Sequence, residues 1–300
     1  MRANFVQAIT DLAEKDKNVI LLTGDLGFGS FEVFEEKFPN QYFNVGIAEQ
    51  SMIGIAAGLA KSGKTVFVYS IGNFVTLRCL EQIRNDACYH HLNINLVSQG
   101  GGFTYGPAGM SHHATEDIGI MRVLPYVTIC VPSNGHNCYE AVHQLADLSG
   151  VGYLRLEKSN NINEINNISL NIGKPNIIRE GKDALIISIG GILSEVLKAV
   201  DESSKDIAVI DFHTAKPIDN TWIAEQLKLF PLIISVEEHQ KTGGLGTILS
   251  EVIADKQIST KLVKLGISDE IVSIVGSQEY LREKCLIDSK MIKHILNMEL

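Results

Sequence analysis

The chain alternates short apolar runs with longer amphipathic stretches. Runs such as VILLT at Val19–Thr23, TVFVY at Thr65–Tyr69 and NINLVS at Asn93–Ser98 are short and rich in β-branched residues, so they read as strands buried on both faces. Thr128–Val131 and Tyr153–Leu156 continue the series. Between them, apolar residues recur at helical spacing over Ile47–Ser62, Thr76–Tyr89, Glu116–Leu124 and Gly135–Leu148. An amphipathic helix pattern also opens the chain. This rhythm predicts a parallel sheet with helices on both faces. It breaks at Lys158–Lys174, KSNNINEINNISLNIGK, an Asn-rich, aromatic-poor stretch that predicts an interdomain crossing with room for one edge strand. It resumes with strands at Ala184–Ser188, Ile207–Asp211, Leu232–Val236 and Lys261–Leu265. Helices are expected at Leu193–Glu202, Trp222–Leu229, Leu245–Asp255 and Asp288–Asn297. The expected fold class is α/β: two doubly wound, mostly parallel-sheet domains over residues 1–165 and 179–300, with a linker at 166–178.

A length of 300 residues suffices for two such domains, and 45% hydrophobic with 20% charged residues is an ordinary soluble composition. The net charge of −9, with no Lys/Arg-rich run interleaved with aromatics, weighs against nucleic acid or an anionic membrane as partner. No run approaches the roughly 18 apolar residues of a membrane span. The opening MRANFVQAITDLAEKDKN carries Asp and Glu in an amphipathic pattern, unlike a secretory leader. Five cysteines without CxxC spacing read as buried thiols, and a reducing cytoplasm is the expected location. Cys88, His90 and His91 are close in sequence, but no further ligands accompany them, so no metal site is assigned.

Ligands of open α/β sheets bind beyond the carboxyl ends of strands. The Gly-rich or polar segments at such ends are Gly24–Ser30, Ser70–Asn73 and Gln99–His113, which places the chemistry in the first domain. The second domain offers Gly243–Gly246 ahead of a helix, a tight strand-to-helix turn that also has room for an anion. The signatures GxxxxGK[ST], GxGxxG and GxSxG are missing. The most informative local feature is FNVGIAEQSMIGIAAGLA at Phe43–Ala60, where Glu49 stands near the start of an otherwise apolar helix. A carboxylate there complements the helix dipole. Gly54, Gly58, Ala48, Ala56, Ala57 and Ala60 also keep the helix thin. That predicts close packing against something large, such as another subunit. Glu49 would then be buried and would need a partner that donates to it or shares its proton.

The block NVGIAEQ at 44–50 resembles the transketolase family, and further blocks follow in family order over nearly the whole chain. These are Gly24-Asp25-Leu26, Phe74 through LRCLEQIRNDA, MSHHATEDI with MRVLP and VPS, and VEEHQKTGGLG at 236–246. The resemblance implies the pyrimidine-binding and C-terminal domains of that family, thiamine diphosphate as cofactor, and transfer of a two-carbon ketol unit between sugars. It implies that Glu49 binds N1′ of the aminopyrimidine and shares its proton. Phe74 would stack on that ring, with Ile71 where relatives often carry a second aromatic. Asp25 would lie near the cofactor and the subunit interface, or cap its turn. His112 would contact substrate at the reaction centre. Gln99 opens the loop that would read the sugar. Arg2 and Lys158 match cations that bind substrate phosphate, although Lys158 replaces an Arg and so loses the bidentate fork.

Two departures bear on the substrate. Ala108 stands where the family usually has an acidic residue that contacts a sugar hydroxyl, and Gly100 stands where it has a further His. The loop QGGGFTYGPAGM is therefore not the usual sugar-phosphate reader, and an unusual donor or acceptor is expected, with a modified, deoxy or nucleotide-linked sugar among the options. The family holds the diphosphate through a divalent metal, Mg2+ or Ca2+, on a GDG motif that this sequence lacks. The resemblance then implies a separate N-terminal subunit carrying that motif, in an α2β2 heterotetramer. Two other readings compete: the β subunit of a 2-oxo acid dehydrogenase, and a non-catalytic module that kept the fold. GIAEQ and SHHATEDI favour transketolase or the related deoxyxylulose-phosphate synthase.

Overall fold

The computed structural model describes residues 1–158 and 168–300; the expected domain boundary at 165/166 lies outside the described residues. Helix α1 (Arg2–Lys15) leads into β1 (Val19–Thr23), followed by α2 (Glu32–Lys37), β2 (Tyr42–Asn44), α3 (Glu49–Lys61) and β3 (Thr65–Ile71). A broken segment comes next: α4 (Gly72–Val75), a 3-10 turn at Leu77–Cys79, α5 (Leu80–Gln82) and a π turn at Ile83–Cys88. Strand β4 (Ile94–Gln99), α6 (Asp117–Arg122), β5 (Val127–Cys130), α7 (Gly135–Ala146) and β6 (Val151–Leu156) complete the first half. The second half begins with β7 (Asn176–Arg179), β8 (Ala184–Ile189), α8 (Leu193–Asp201), β9 (Ile207–Asp211) and β10 (Thr214–Lys216). It ends with α9 (Asn220–Lys228), β11 (Leu232–Gln240), α10 (Leu245–Asp255), β12 (Lys261–Ile267), α11 (Gln278–Lys284) and α12 (Ser289–Glu299).

Among the described residues two sheets form, ordered β10-β5-β6-β4-β3-β1-β2 and β12-β11-β8-β9-β7. Every pairing is parallel except β10 on β5 and β7 on β9. The expected two-sheet α/β class is therefore what the chain adopts. One strand crosses over: β10 lies after β9 in sequence yet closes the first sheet, with Thr214 opposite Cys130. Residues 168–174 pack back on α7, where Gln144 Nε2 donates to Leu170 O at 2.6 Å and Ile172 N donates to Gln144 Oε1 at 3.0 Å.

One face of the first sheet buries aromatic rings from α1 and the α2 region, with Phe5 stacked on Tyr69 at 5.6 Å and Phe31 edge-on to Tyr69 at 4.9 Å. Its other face buries Met52, Ile53 and Ala56 of α3, and this cluster runs on into Leu185, Ile187, Ile233 and Leu245 of the second half. Each buried Met, Ile or Leu side chain here contributes roughly 1.5–3 kcal/mol of burial free energy, so a shared core ties the two sheets together. The sequence predicts one helix over Thr76–Tyr89, but the structure breaks it. Thr76 leaves helical geometry at φ −107° and ψ −82°, and its Oγ1 donates to Gly72 O at 2.7 Å. Among the described residues, no helix is long and apolar enough to cross a membrane.

Candidate active site

Strands β1, β3, β4 and β6 run parallel, and their registers bring Thr23 beside Tyr69, Ile71 beside Gln99, and Gln99 beside Leu156. Their carboxyl ends therefore share one edge of the sheet, where loops can converge. Glu49, the first residue of α3, is carried to this edge and is only 2% exposed. Ser70 Oγ lies 3.4 Å from Glu49 Oε1, and Arg78 Nη1 lies 2.6 Å from Oε2. The turn after β1 presses on the same carboxylate, since a Cβ on Gly24 would stand 3.5 Å from Oε1. The opposite face of α3 is left uncovered by the described residues: Gly54, Ile55 and Gly58 are exposed, as is Ile47 just before the helix.

Phe74, in α4, is half-buried. The Arg78 guanidinium carbon lies 4.2 Å from its ring centroid, and the His112 ring meets it edge-on at 5.3 Å. Asn73 helps hold this arrangement, because its Nδ2 donates to His113 O at 2.8 Å. His112 is half-buried, with Nδ1 3.0 Å from Ser111 Oγ and its ring 6.3 Å from that of Tyr105. Gln99 is nearly buried and accepts from the Tyr69 hydroxyl at 3.2 Å. Burial pushes the Tyr69 phenol well above its ordinary pKa, and the neighbouring Tyr105 adds to that, while the Arg2 side chain opposes it by its charge and a hydrogen bond. Glu49, Phe74 and His112 thus lie together, and Arg2 and Gln99 meet at Tyr69. Ile71 ends β3 immediately before α4, and is half-buried.

Two expected site residues have their partners elsewhere. Asp25, at φ +55°, forms a reciprocal pair with Asn44: its N donates to Asn44 Oδ1 at 3.0 Å, and Asn44 Nδ2 donates to its Oδ1 at 3.1 Å. Asn44 Oδ1 also accepts from Gly46 N at 3.0 Å, so Asp25 braces the turn that delivers Glu49. Lys158 is 60% exposed, and its Nζ lies 3.8 Å from Glu279 of α11.

Sequence reasoning missed Arg78 and Tyr105. Arg78 sits inside the matched LRCLEQIRNDA block, but a continuous helix gave no reason to aim it at Glu49. Tyr105 had no signal beyond its place in the loop. At Gly100, φ is +97°, and an added Cβ would stand 2.3 Å from the Tyr105 ring, so this phenol fills the space a side chain at position 100 would take. The Gly243–Gly246 turn is occupied by a carboxyl group supplied by the chain itself. Leu245 N and Gly246 N donate to the Glu237 carboxylate at 2.7 and 2.8 Å. Burial raises the pKa of that carboxyl to about 8, against those two hydrogen bonds.

A sequestered carboxylate beside an aromatic face suits a planar, protonatable heteroaromatic ring. The carboxylate meets a ring nitrogen, and the Phe face stacks on the ring. The aminopyrimidine of thiamine diphosphate has this chemistry.

Residues 1–162 match the transketolase pyrimidine-binding domain, and residues 173–292 match the transketolase C-terminal domain. The chain is 34% identical over 303 residues to the putative transketolase C-terminal section of Methanocaldococcus jannaschii, covering 99% of this chain and 95% of that one. It is 31% identical over 264 residues to a subunit of the apulose-4-phosphate transketolase of Actinobacillus succinogenes, covering 86% of this chain and 85% of that one. A solved split gene transketolase, described as an inactive beta4 tetramer, superposes with a TM-score of 0.89 at 29% identity, covering 99% of this chain and 97% of that one. The chain belongs to the transketolase family, as a pyrimidine-binding domain followed by a C-terminal domain.

Proposed function

We propose that this chain is the pyrimidine-binding subunit of a thiamine-diphosphate-dependent enzyme that moves a two-carbon ketol unit between sugars. The observation that carries this reading is Glu49, buried at the strand edge and linked through Arg78 to the Phe74 ring, which His112 meets edge-on. When bound, thiamine diphosphate supplies the electron sink that lets a ketose C2–C3 bond break. Glu49 holds a proton for the aminopyrimidine nitrogen, and burial keeps water from taking that role. Phe74 fixes the plane of the ring. His112 reaches a sugar oxygen, steadied by Ser111. Arg2, Gln99 and Tyr69 offer polar groups to the rest of the sugar. We place the pyrimidine-binding domain at 1–165 and the C-terminal domain at 179–300, except that β7 (Asn176–Arg179), which overlaps the expected 166–178 linker, pairs with β9 and so belongs to the second sheet.

The diphosphate and its Mg2+ or Ca2+ belong to a separate N-terminal subunit in this reading, with an α2β2 assembly working in the cytoplasm. The bare, thin face of α3 supports a partner there, and so do the relatives, one named as a C-terminal section and another as one subunit of a transketolase. The sugar differs from the common pentose phosphates. Gly100 carries no side chain and Ala108 no polar group, and the Lys158 charge is shared with Glu279.

Mixing this chain with the N-terminal subunit, thiamine diphosphate and Mg2+ tests the reading. Cofactor bands in near-ultraviolet circular dichroism and ketol transfer between sugars are expected, with xylulose 5-phosphate and ribose 5-phosphate used poorly. Acyl transfer from a 2-oxo acid to lipoamide would overturn it, and so would the lack of any coenzyme band.

A further inference from the structure

Arg78 lies where the proposed function puts the aminopyrimidine. Its Nη1 is 2.6 Å from Glu49 Oε2, and its guanidinium carbon is 4.2 Å from the Phe74 ring centroid. A planar, donor-rich cation thereby satisfies the same carboxylate and the same ring face that a protonated heteroaromatic ring would use. Both cannot hold Glu49 Oε2 and the face of Phe74 at once. We infer that Arg78 is a displaceable stand-in for the coenzyme ring, and that coenzyme binding moves it from Glu49 to Glu116. The inference rests on the coenzyme placement proposed above.

The surroundings let Arg78 move. Its side chain is 42% exposed, against 2% for Glu49, and it stands on the short 3-10 turn Leu77–Cys79 rather than on a long helix. It lines a cavity of about 420 Å³ that also touches Asn73, Phe74, His113 and Glu116. Glu116 supplies the one carboxylate among the described residues of that lining. Among the described residues, that carboxylate is in no ion pair, and its only side-chain hydrogen bond is a long one from Thr115 N at 3.3 Å. A guanidinium leaving Glu49 therefore has a second acid on the wall of the same cavity.

The exchange keeps the buried group satisfied. A carboxylate as deeply buried as Glu49 cannot be left bare. Before coenzyme arrives, Arg78 answers it; afterwards, the ring nitrogen does. Arg78 is then a positioning residue that acts through Glu49. It sets how much coenzyme affinity is spent on opening the site, and it clears the oxygen that must hold the proton.

The test is calorimetric binding of thiamine diphosphate with Mg2+ to the assembled subunits, alongside the near-ultraviolet coenzyme band. Arg78→Ala should bind roughly tenfold more tightly than wild type, as expected when the closed form holds about nine-tenths of the population. Arg78→Lys keeps a cation and should return toward wild-type affinity. Glu116→Gln should weaken binding several-fold in wild type and have no effect in the Arg78→Ala background. Weaker binding by Arg78→Ala would overturn the inference alone, as would an equal effect of Glu116→Gln in both backgrounds. Failure of wild type and every variant to bind would overturn the coenzyme placement, and this inference with it.

Discussion

Glu238 Oε1 accepts the backbone amide of Phe103 at 2.6 Å, so a carboxylate from the second sheet pins the loop that carries His112. The same side chain accepts from Gln278 Nε2 at 2.8 Å and pairs with Arg282 Nε. Its backbone carbonyl accepts from Arg155 Nη2 at 3.0 Å, and Arg155 in turn grips Asp117 and Glu157. All these charged side chains are buried. The second domain thus contributes to the site by fixing a loop of the first.

Glu238→Ala would leave the Phe103 amide buried without its acceptor and strip Arg282 Nε of its carboxylate, with only the more distant Glu195, 3.8 Å from Nη1, remaining on that guanidinium. Removing one member of a buried pair costs about 3–5 kcal/mol. Urea unfolding of the variant should show a loss of that size. A change below about 1 kcal/mol, the scale of an exposed pair, would contradict the clamp.

Gly100→His, which restores the side chain usual in the family, should destabilise this chain. Position 100 has φ +97°, and its Cβ would meet the Tyr105 ring at 2.3 Å. Overpacking costs roughly 1–3 kcal/mol and the left-handed backbone about 1–2 more. Adding Tyr105→Ala should relieve the collision and leave the backbone cost. Denaturation of the single and double variants separates the two. Equal penalties from Gly100→His in both backgrounds would show that Tyr105 is not the obstacle.

The fold was largely legible because its strands are short and apolar. The expected ends of β1, β9 and α10 coincide with the observed ones. Strands β2 and β10 escaped because three residues carry no usable period. The break after Thr76 escaped because periodicity does not distinguish a continuous helix from 3-10 and π turns at the same apolar positions. That break hid Arg78, whose contact with Glu49 depends on it. Glu49 itself stood out as one charge on a thin apolar helix. Lys158 meets Glu279 across a long stretch of sequence, and nothing local signals such a pair.

Two buried groups near the β9–β10 connection give opposite pH dependence. Burial raises the Asp211 carboxyl from 3.8 to about 7, against a hydrogen bond from Ser133 at 2.6 Å. Its contribution to stability is full below pH 3.8 and is lost as pH rises through 7. Burial lowers the His213 imidazole from 6.5 to about 4. Its contribution is full above pH 6.5 and is lost as pH falls through 4. The two slopes oppose each other over nearly the same window. Asp211→Asn removes the first, so the variant's stability should rise relative to wild type as pH increases from about 4.5 to about 6.5, inside the window between the two carboxyl values. Urea unfolding across that range checks it, and parallel pH profiles would contradict the assignment.

In the proposed function Glu49 carries the proton that activates the coenzyme. Glutamine at this position keeps the shape and one hydrogen bond but cannot give or take that proton. The most direct measurement is turnover of Glu49→Gln in the assembled enzyme, with coenzyme saturation verified by its circular dichroism band. Turnover is predicted to fall by about 10²–10⁴, the usual worth of a positioned acid–base group. Turnover near the wild-type rate at full coenzyme occupancy would contradict the account.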